Sequence, residues 1–476
     1  MAALVTVSTV AARTTTRTVL VDQAGRAVAT PGTQTGVGPG TQTGGNNAGT
    51  SGNGSTAGST FQCGAGRNGG ATDVGVTAGT IKLGATVVES GVGRTFLADV
   101  RHGMIAVVNR VNAAGGICGR RLQLVLKDDG WDPNRGFQFI QNLVEDTKVF
   151  ALAVVPSSEG LRAADRYIEE KRIPVVGADG MLIHQYTNPF IWPVATATIS
   201  AMHIMAKNAY DRGARRFGIV YETSYRFGIE GAYAFNASVK RLMGDDIPGY
   251  ANPLNTKRCA QRFCGIDATK PNYLSELQEF KSSCEEEPKC EYIVYLLEPD
   301  TAAKWMAQGA PTVFDVTDGG QLPGGIGAPQ PLFNRTFGVN CGQKCHDMWV
   351  WTGYSPAIQP FTNQPDVAAY VNELRQTNSR ADPNNSFVEG GYLGMKLLVE
   401  ALRALGPNVT RAGLAQTLDR MSLKTGLSRP LRWAPGSHLA NQCMMGFSIQ
   451  SKPSFAGWRQ ETDWICDPWA GLDIVE

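Results

Sequence analysis

The chain has 476 residues, 42% of them hydrophobic and 18% charged, which is more than one hydrophobic core usually spans. Its 44 Lys+Arg stand against 42 Asp+Glu, a formal net charge of +2 with no basic arm or acidic tail. That balance excludes nucleic acid and anionic membrane surfaces as partners recruited by charge.

Met1 to Ala12 is mildly apolar but has no basic segment ahead of it, and Arg13 and Arg17 follow. No well-formed export signal is therefore visible, and no later stretch has the ~18 uncharged apolar residues of a membrane span. Residues 30–60 are almost all Gly, Thr, Asn, Ser, Ala and Pro. Such a tract has too little apolar surface to offset its ordering entropy, so residues 1–62 are expected to be a flexible tether. It suits a folded body held off a membrane or cell wall.

From residue 80 the pattern alternates between strand and helix. IKLGATVV (81–88) has strand length, and Phe96, Val100, Met104, Val107, Val108 and Val111 then recur at helical spacing. Strand RLQLVLKD (121–128) precedes a helix carrying Phe137, Ile140, Leu143 and Val144. Strand VFALAVV (149–155), a helix over 158–171 and strand IPVVG (173–177) complete a first half. A second half follows: helix 197–211, strand RRFGIVY (215–221), helices 226–243 and 271–283, strand YIVYLL (292–297) and helix 300–309. Strand WVWTGY (349–354), helices near 365–377, 387–405 and 410–421, and a strand-like Cys-containing tail end the chain. This alternation predicts an α/β protein of two Rossmann-like lobes, each a parallel sheet flanked by helices, with ligands taken at the strand ends.

Ten cysteines, at Cys63, Cys118, Cys259, Cys264, Cys284, Cys290, Cys341, Cys345, Cys443 and Cys466, are even in number and lack zinc-type spacing. They predict structural disulfides and an oxidising, extracytoplasmic compartment. Cys341–Cys345, Cys443–Cys466 and Cys63–Cys118 are plausible pairs, with 259, 264, 284 and 290 clipped together in an order that spacing leaves open.

Four blocks carry a resemblance: NAAGGICGRRLQLVLKDDGWDPNRGFQFIQNLVE (112–145), AVVPSSEG (153–160), KRIPVVGADG (171–180) and RRFGIVYETSYRFGIEG (215–231). In this order and spacing the chain resembles, over about residues 76–450, the type I periplasmic solute-binding proteins of branched-chain amino acid ABC transporters. The resemblance implies two lobes joined by three hinge crossovers near 195, 350 and 425. One lobe is then 63–195 plus 353–425 and the other 196–352 plus 426–476. It also implies a monomer that captures a small molecule, performs no chemistry, and docks on a transporter permease.

The same blocks supply candidate ligand contacts. In PSSEG (156–160), Ser157 or Ser158 starts a helix, whose free amide hydrogens favour an anion. The family's matching serine holds a ligand carboxylate, which points to Ser158. In GADG (177–180), Ala178, Asp179 and Gly180 stand where amino acid binders offer a hydroxyl. A desolvated Asp179 would repel a carboxylate, so a cation, amide or polyol gains ground. On the second lobe Phe227 takes the place of the aromatic that packs on ligand, with Tyr225 beside it. Glu298 and Asp300 follow a strand where the family takes an ammonium acceptor, and Glu89 lies at the rim of the first lobe.

No catalytic or cofactor motif competes. SSEG is not a nucleophile elbow, CGQKCH (341–346) has three residues between its cysteines where haem attachment needs two, and the five histidines show no metal spacing. A sensor domain of the same fold, or a hydrolase on an α/β scaffold, are the competing expectations.

Overall fold

The computed structural model describes residues 68–284, 289–309 and 325–469. The tether expected over 1–62 lies outside the described residues.

The first sheet has five strands: β1 (Thr80–Val87), β2 (Arg121–Asp128), β3 (Ala151–Ala153), β4 (Val175–Ala178) and β5 (Ile191–Pro193). They lie in the order β2-β1-β3-β4-β5, all parallel. Because helices cover both faces, the inner strands are apolar without alternation; β3 and β4 are buried throughout. Helix Val100–Ala113 turns Val100, Met104, Val107 and Val111 inward. It lies close against helix Ser386–Leu405, because a Cβ on Gly103 would come 2.9 Å from the Tyr392 amide nitrogen. The sequence after residue 355 thus returns to the first lobe.

The second sheet holds β6 (Phe217–Glu222), β7 (Cys259–Ala260), β8 (Phe263–Ile266), β9 (Tyr292–Leu296), β10 (Ile326–Ala328) and β11 (Trp349–Thr352). A small hairpin, β12 (Ser422–Leu423) with β13 (Leu431–Arg432), interrupts before β14 (Cys443–Gln450), β15 (Gly457–Gln460) and β16 (Ile465–Cys466) join the second sheet. The order is β15-β14-β11-β10-β9-β6-β8-β7, with β16 on β14. Strands β8, β6, β9, β10 and β11 run parallel; β14 is antiparallel to β11.

The three crossings between lobes meet at one place. Thr196 and Asn441 form a parallel bridge, Asn441 Nδ2 donates to the Gly353 carbonyl at 2.9 Å, and Thr196 Oγ1 donates to the Cys443 carbonyl at 3.2 Å. Thr196 and Gly353 lie close to residues 195 and 350. The third differs: beyond 425 the chain stays on the first lobe, where Trp433 Nε1 donates to the Pro193 carbonyl and the His438 amide to the Tyr186 carbonyl. It crosses at Asn441, 16 residues later than 425, because these bonds and the stacking of His438 on Trp192 anchor the segment.

The helix expected over 158–171 is two helices, Ser158–Ala163 and Asp165–Lys171, separated at Ala164. Disulfides join Cys259–Cys264, Cys284–Cys290, Cys341–Cys345 and Cys443–Cys466. Cys259–Cys264 closes the β7–β8 hairpin, and Cys443–Cys466 pins β16 to β14. Cys118 is disulfide-bonded as well; Cys63, its expected partner, lies outside the described residues.

Candidate ligand cleft between the lobes

Parallel strands deliver their following loops to one edge, and here the two edges face each other. Acidic side chains latch them. Glu159 Oε1 of the first lobe accepts from the Arg226 amide of the second at 2.7 Å. Glu230 Oε2 accepts from the Ile183 amide at 3.0 Å, and Asp300 Oδ2 accepts from Thr95 Oγ1 at 2.9 Å. Trp131 stacks on Tyr225 across the same seam, with ring centroids 4.4 Å apart and planes 13° from parallel. The lobes are closed on each other.

Behind this seam lies a small cavity walled by both lobes, with about 20 Å³ of room for the centre of a water molecule. The first lobe contributes Asp179, Met181 and Phe387, and the second contributes Phe227, Leu296 and Gln330. A smaller space, with about 10 Å³ of room for the centre of a water molecule, shares Asp179 and Phe387 with it and reaches Val154, Tyr354 and Gly390 of the first lobe. Most of the wall is apolar, and its polar residues are Asp179, Thr196, Thr198 and Gln330.

A family model described as periplasmic binding protein matches residues 80–453. The chain belongs to the periplasmic binding protein family. The Leu/Ile/Val-binding protein homolog 1 of Brucella abortus (strain 2308) is 25% identical over 112 residues, 24% of this chain and 30% of that protein. The chain thus matches less than a third of the length of that curated relative. Among solved structures, a fatty acid ABC transporter substrate-binding protein from Thermomonospora curvata covers 84% of this chain and 95% of its own, at 18% identity and TM-score 0.66. A solute-binding protein from R. palustris in complex with 4-hydroxybenzoate covers 82% and 98%, at 16% identity and TM-score 0.66. At such identity these likenesses establish the type I fold.

Within this periplasmic binding protein the expected contacts divide into three groups. Asp179 and Phe227 line the cavity, and Ala178 lines its extension. Asp179 is 8% exposed; its Oδ1 accepts from Gln185 Nε2 at 2.6 Å and from the Met181 amide at 3.3 Å, while Oδ2 has no partner. Burial pushes its carboxyl up to about 7, against the pull of those donors. Gly180 spends its backbone internally, donating to Gln185 Oε1 and accepting from the Tyr186 hydroxyl.

A second group supports the aromatic seam. Ser158 Oγ accepts from Trp131 Nε1 at 3.1 Å, and Ser157 holds the N-cap position of a six-residue helix without a side-chain cap bond. Both serines are buried, and neither lines the cavity. Tyr225 carries the stack itself.

The third group is occupied elsewhere. Glu298 caps its own helix, accepting from the Asp300 and Thr301 amides, and is 1% exposed beside Glu222. Burial drives both carboxyls up; the charge of Glu298 adds to the rise at Glu222, and that of Asp300 to the rise at Glu298. Glu298 therefore faces its helix instead of the cavity. Asp300 serves the latch, and Glu89 pairs with Arg101 outside the cavity.

The sequence reading missed Trp131, Glu159, Arg226, Gln330 and Phe387. For Trp131 a signal existed. In DDGWDP, the Gly130 amide donates to Asp128 Oδ1 at 3.1 Å and the Trp131 amide to Asp129 Oδ1 at 2.9 Å. Two successive acids thereby fold a turn in which Trp131 sits at φ 67°, aimed at the other lobe. Gln330 and Phe387 follow a short strand and start a helix far apart in sequence, and nothing local marks them. His184 lies under the latch near Arg162 and Arg226; burial and those two cations lower its pKa to about 3, so it is neutral.

Proposed function

We propose that this chain is an extracytoplasmic solute receptor that captures a small molecule between its lobes and presents it to an ABC-type importer, without transforming it. The observation that carries this reading is the cavity walled by Asp179, Met181 and Phe387 from one lobe and Phe227, Leu296 and Gln330 from the other. A guest touching both walls binds the closed arrangement better than the open one, so its binding energy drives hinge closure. The triple crossing at Thr196, Gly353 and Asn441 supplies the hinge. Phe227 packs the guest's apolar body and Asp179 orients its polar end. Ser158 acts through Trp131, holding the indole in the stack. The disulfides fit an oxidising compartment, the Gly-, Thr-, Asn- and Ser-rich composition of residues 30–60 fits attachment to an envelope, and a monomer suffices, because one chain supplies both walls.

A thermal-shift screen of amines, amides, amino acids, aromatic acids and sugars on the full chain tests the reading, because a true ligand raises the melting temperature. At a concentration of 100 Kd the gain is about 2.7 kcal/mol. Phe227→Ala is expected to weaken the hit at least tenfold with the fold intact. A hit whose affinity ignores Phe227 and Asp179, or a screen with no hit, speaks against capture in this cleft.

A further inference from the structure

The chemistry of the guest can be narrowed, given capture between the lobes. Two residues on opposite walls of the cavity carry a buried acceptor atom without a donor, Asp179 Oδ2 and Gln330 Oε1, each residue 8% exposed; the Gln330 side chain is otherwise hydrogen-bonded to Tyr354. A buried acceptor left unmatched costs free energy, so an occupant that supplies donors is favoured. Asp179 is preorganised for this, since Gln185 and the Met181 amide hold its Oδ1 and leave Oδ2 without a partner on a residue of the cavity wall. Among the described residues the wall carries no Lys, Arg or His. The cations nearby are engaged, Arg162 with Glu159 and Arg226 with Glu230. A guest carboxylate would meet Asp179 with nothing to offset it; a guest cation would meet its counter-charge. Around this head the wall is Met181, Phe227, Leu296 and Phe387.

We infer that the ligand is a small organic cation bearing N–H donors on an apolar body, an alkyl- or arylammonium without a carboxylate, whose head lies between Asp179 and Gln330. Burial raises Asp179 toward neutrality, and Glu159 opposes its ionisation further; Tyr186 and Tyr354, the other titratable groups facing it, stay neutral. A bound cation holds Asp179 ionised. Affinity therefore falls as pH drops below about 7, approaching tenfold per unit.

Isothermal titration of the full chain with 2-phenylethylamine and isopentylamine at pH 8 and pH 6 tests this. 3-Phenylpropionate, 3-phenylpropionamide and leucine serve as the carboxylate, neutral amide and amino acid counterparts. The amines are expected to bind, more weakly at pH 6, and the counterparts at least tenfold more weakly than the amines. Asp179→Asn is expected to lose tenfold or more of the amine affinity and its pH dependence. Gln330→Met, on the other lobe, should lose severalfold, which keeps the test open should the first variant not fold. Preferential binding of the carboxylate, the amide or leucine overturns the cationic assignment and leaves interlobe capture standing. Absence of saturable binding by these probes and by the broader solute screen overturns both.

Discussion

Glu159 reaches across the seam, and removing its charge should loosen the closed state by a calculable amount. Its side chain is 8% exposed; Oε1 accepts from the Arg226 amide at 2.7 Å and Oε2 from Arg162 Nε at 3.1 Å. The Arg162 bond counts for little, because that side chain is 45% exposed and water replaces its partner. The bond to the Arg226 amide joins the lobes, and a hydrogen bond to a charged group is worth about 1.5–3 kcal/mol. Glutamine keeps a neutral acceptor there, so Glu159→Gln should cost about 1 kcal/mol of closure, roughly fivefold in the closed-to-open ratio. Leucine leaves the amide unpaired and should cost about 2 kcal/mol, or roughly thirtyfold. Small-angle scattering reports closure through the radius of gyration, and hydrogen exchange reports protection of the Arg226 amide. The expected order is wild type, then Glu159→Gln, then Glu159→Leu, in rising radius and falling protection. Identical scattering and exchange in all three would refute the claim that this bond holds the lobes together.

Two further outcomes follow from the same contacts. The buried Arg120 guanidinium donates to the carbonyls of Thr77, Asn68, Gly70 and Pro407, tying the start of the folded body to the first lobe. Arg120→Met should lower unfolding free energy by about 2–4 kcal/mol in urea titration, and a loss under ~0.5 kcal/mol would show those carbonyls content with water. Asp179 is raised in the folded state to about 7 from 3.8, so its protonated form stabilises the fold. That contribution is complete below pH ~4 and is lost as pH rises toward 7. Glu230 and Glu389 are shifted the same way by burial. Asp179→Asn should flatten the decline in melting temperature between pH 5 and 7.5, and an unchanged slope would mean that Asp179 is ionised throughout.

Much of the fold was legible because it rests on local rules. Apolar runs of strand length, alternating with helical spacing such as Val100, Met104, Val107 and Val111, specify a covered parallel sheet whatever lies elsewhere in the chain. Asp132 and Pro133 mark a helix start, and Asp132 does cap it through the Arg135 amide. Phe227 was reached through the resemblance of YETSYRFG to a family loop, and it stands on the cavity wall. The break at Ala164 and the late third crossing were not legible. The first depends on how a short helix packs, the second on Trp433 and His438 finding partners more than 200 residues earlier.

Composition, periodicity and strand-end loops fixed by themselves that this chain folds as two α/β lobes and that residues such as Asp179 and Phe227 stand at the strand ends. Which groups share a wall was a tertiary decision. Gln330 and Phe387 meet Asp179 through the return of the chain across the hinge, and Glu298, alike on paper, is taken by its own helix amides. A loop acid's free neighbours decide whether it awaits a guest, and those neighbours arrive from sequence distances that no local pattern spans.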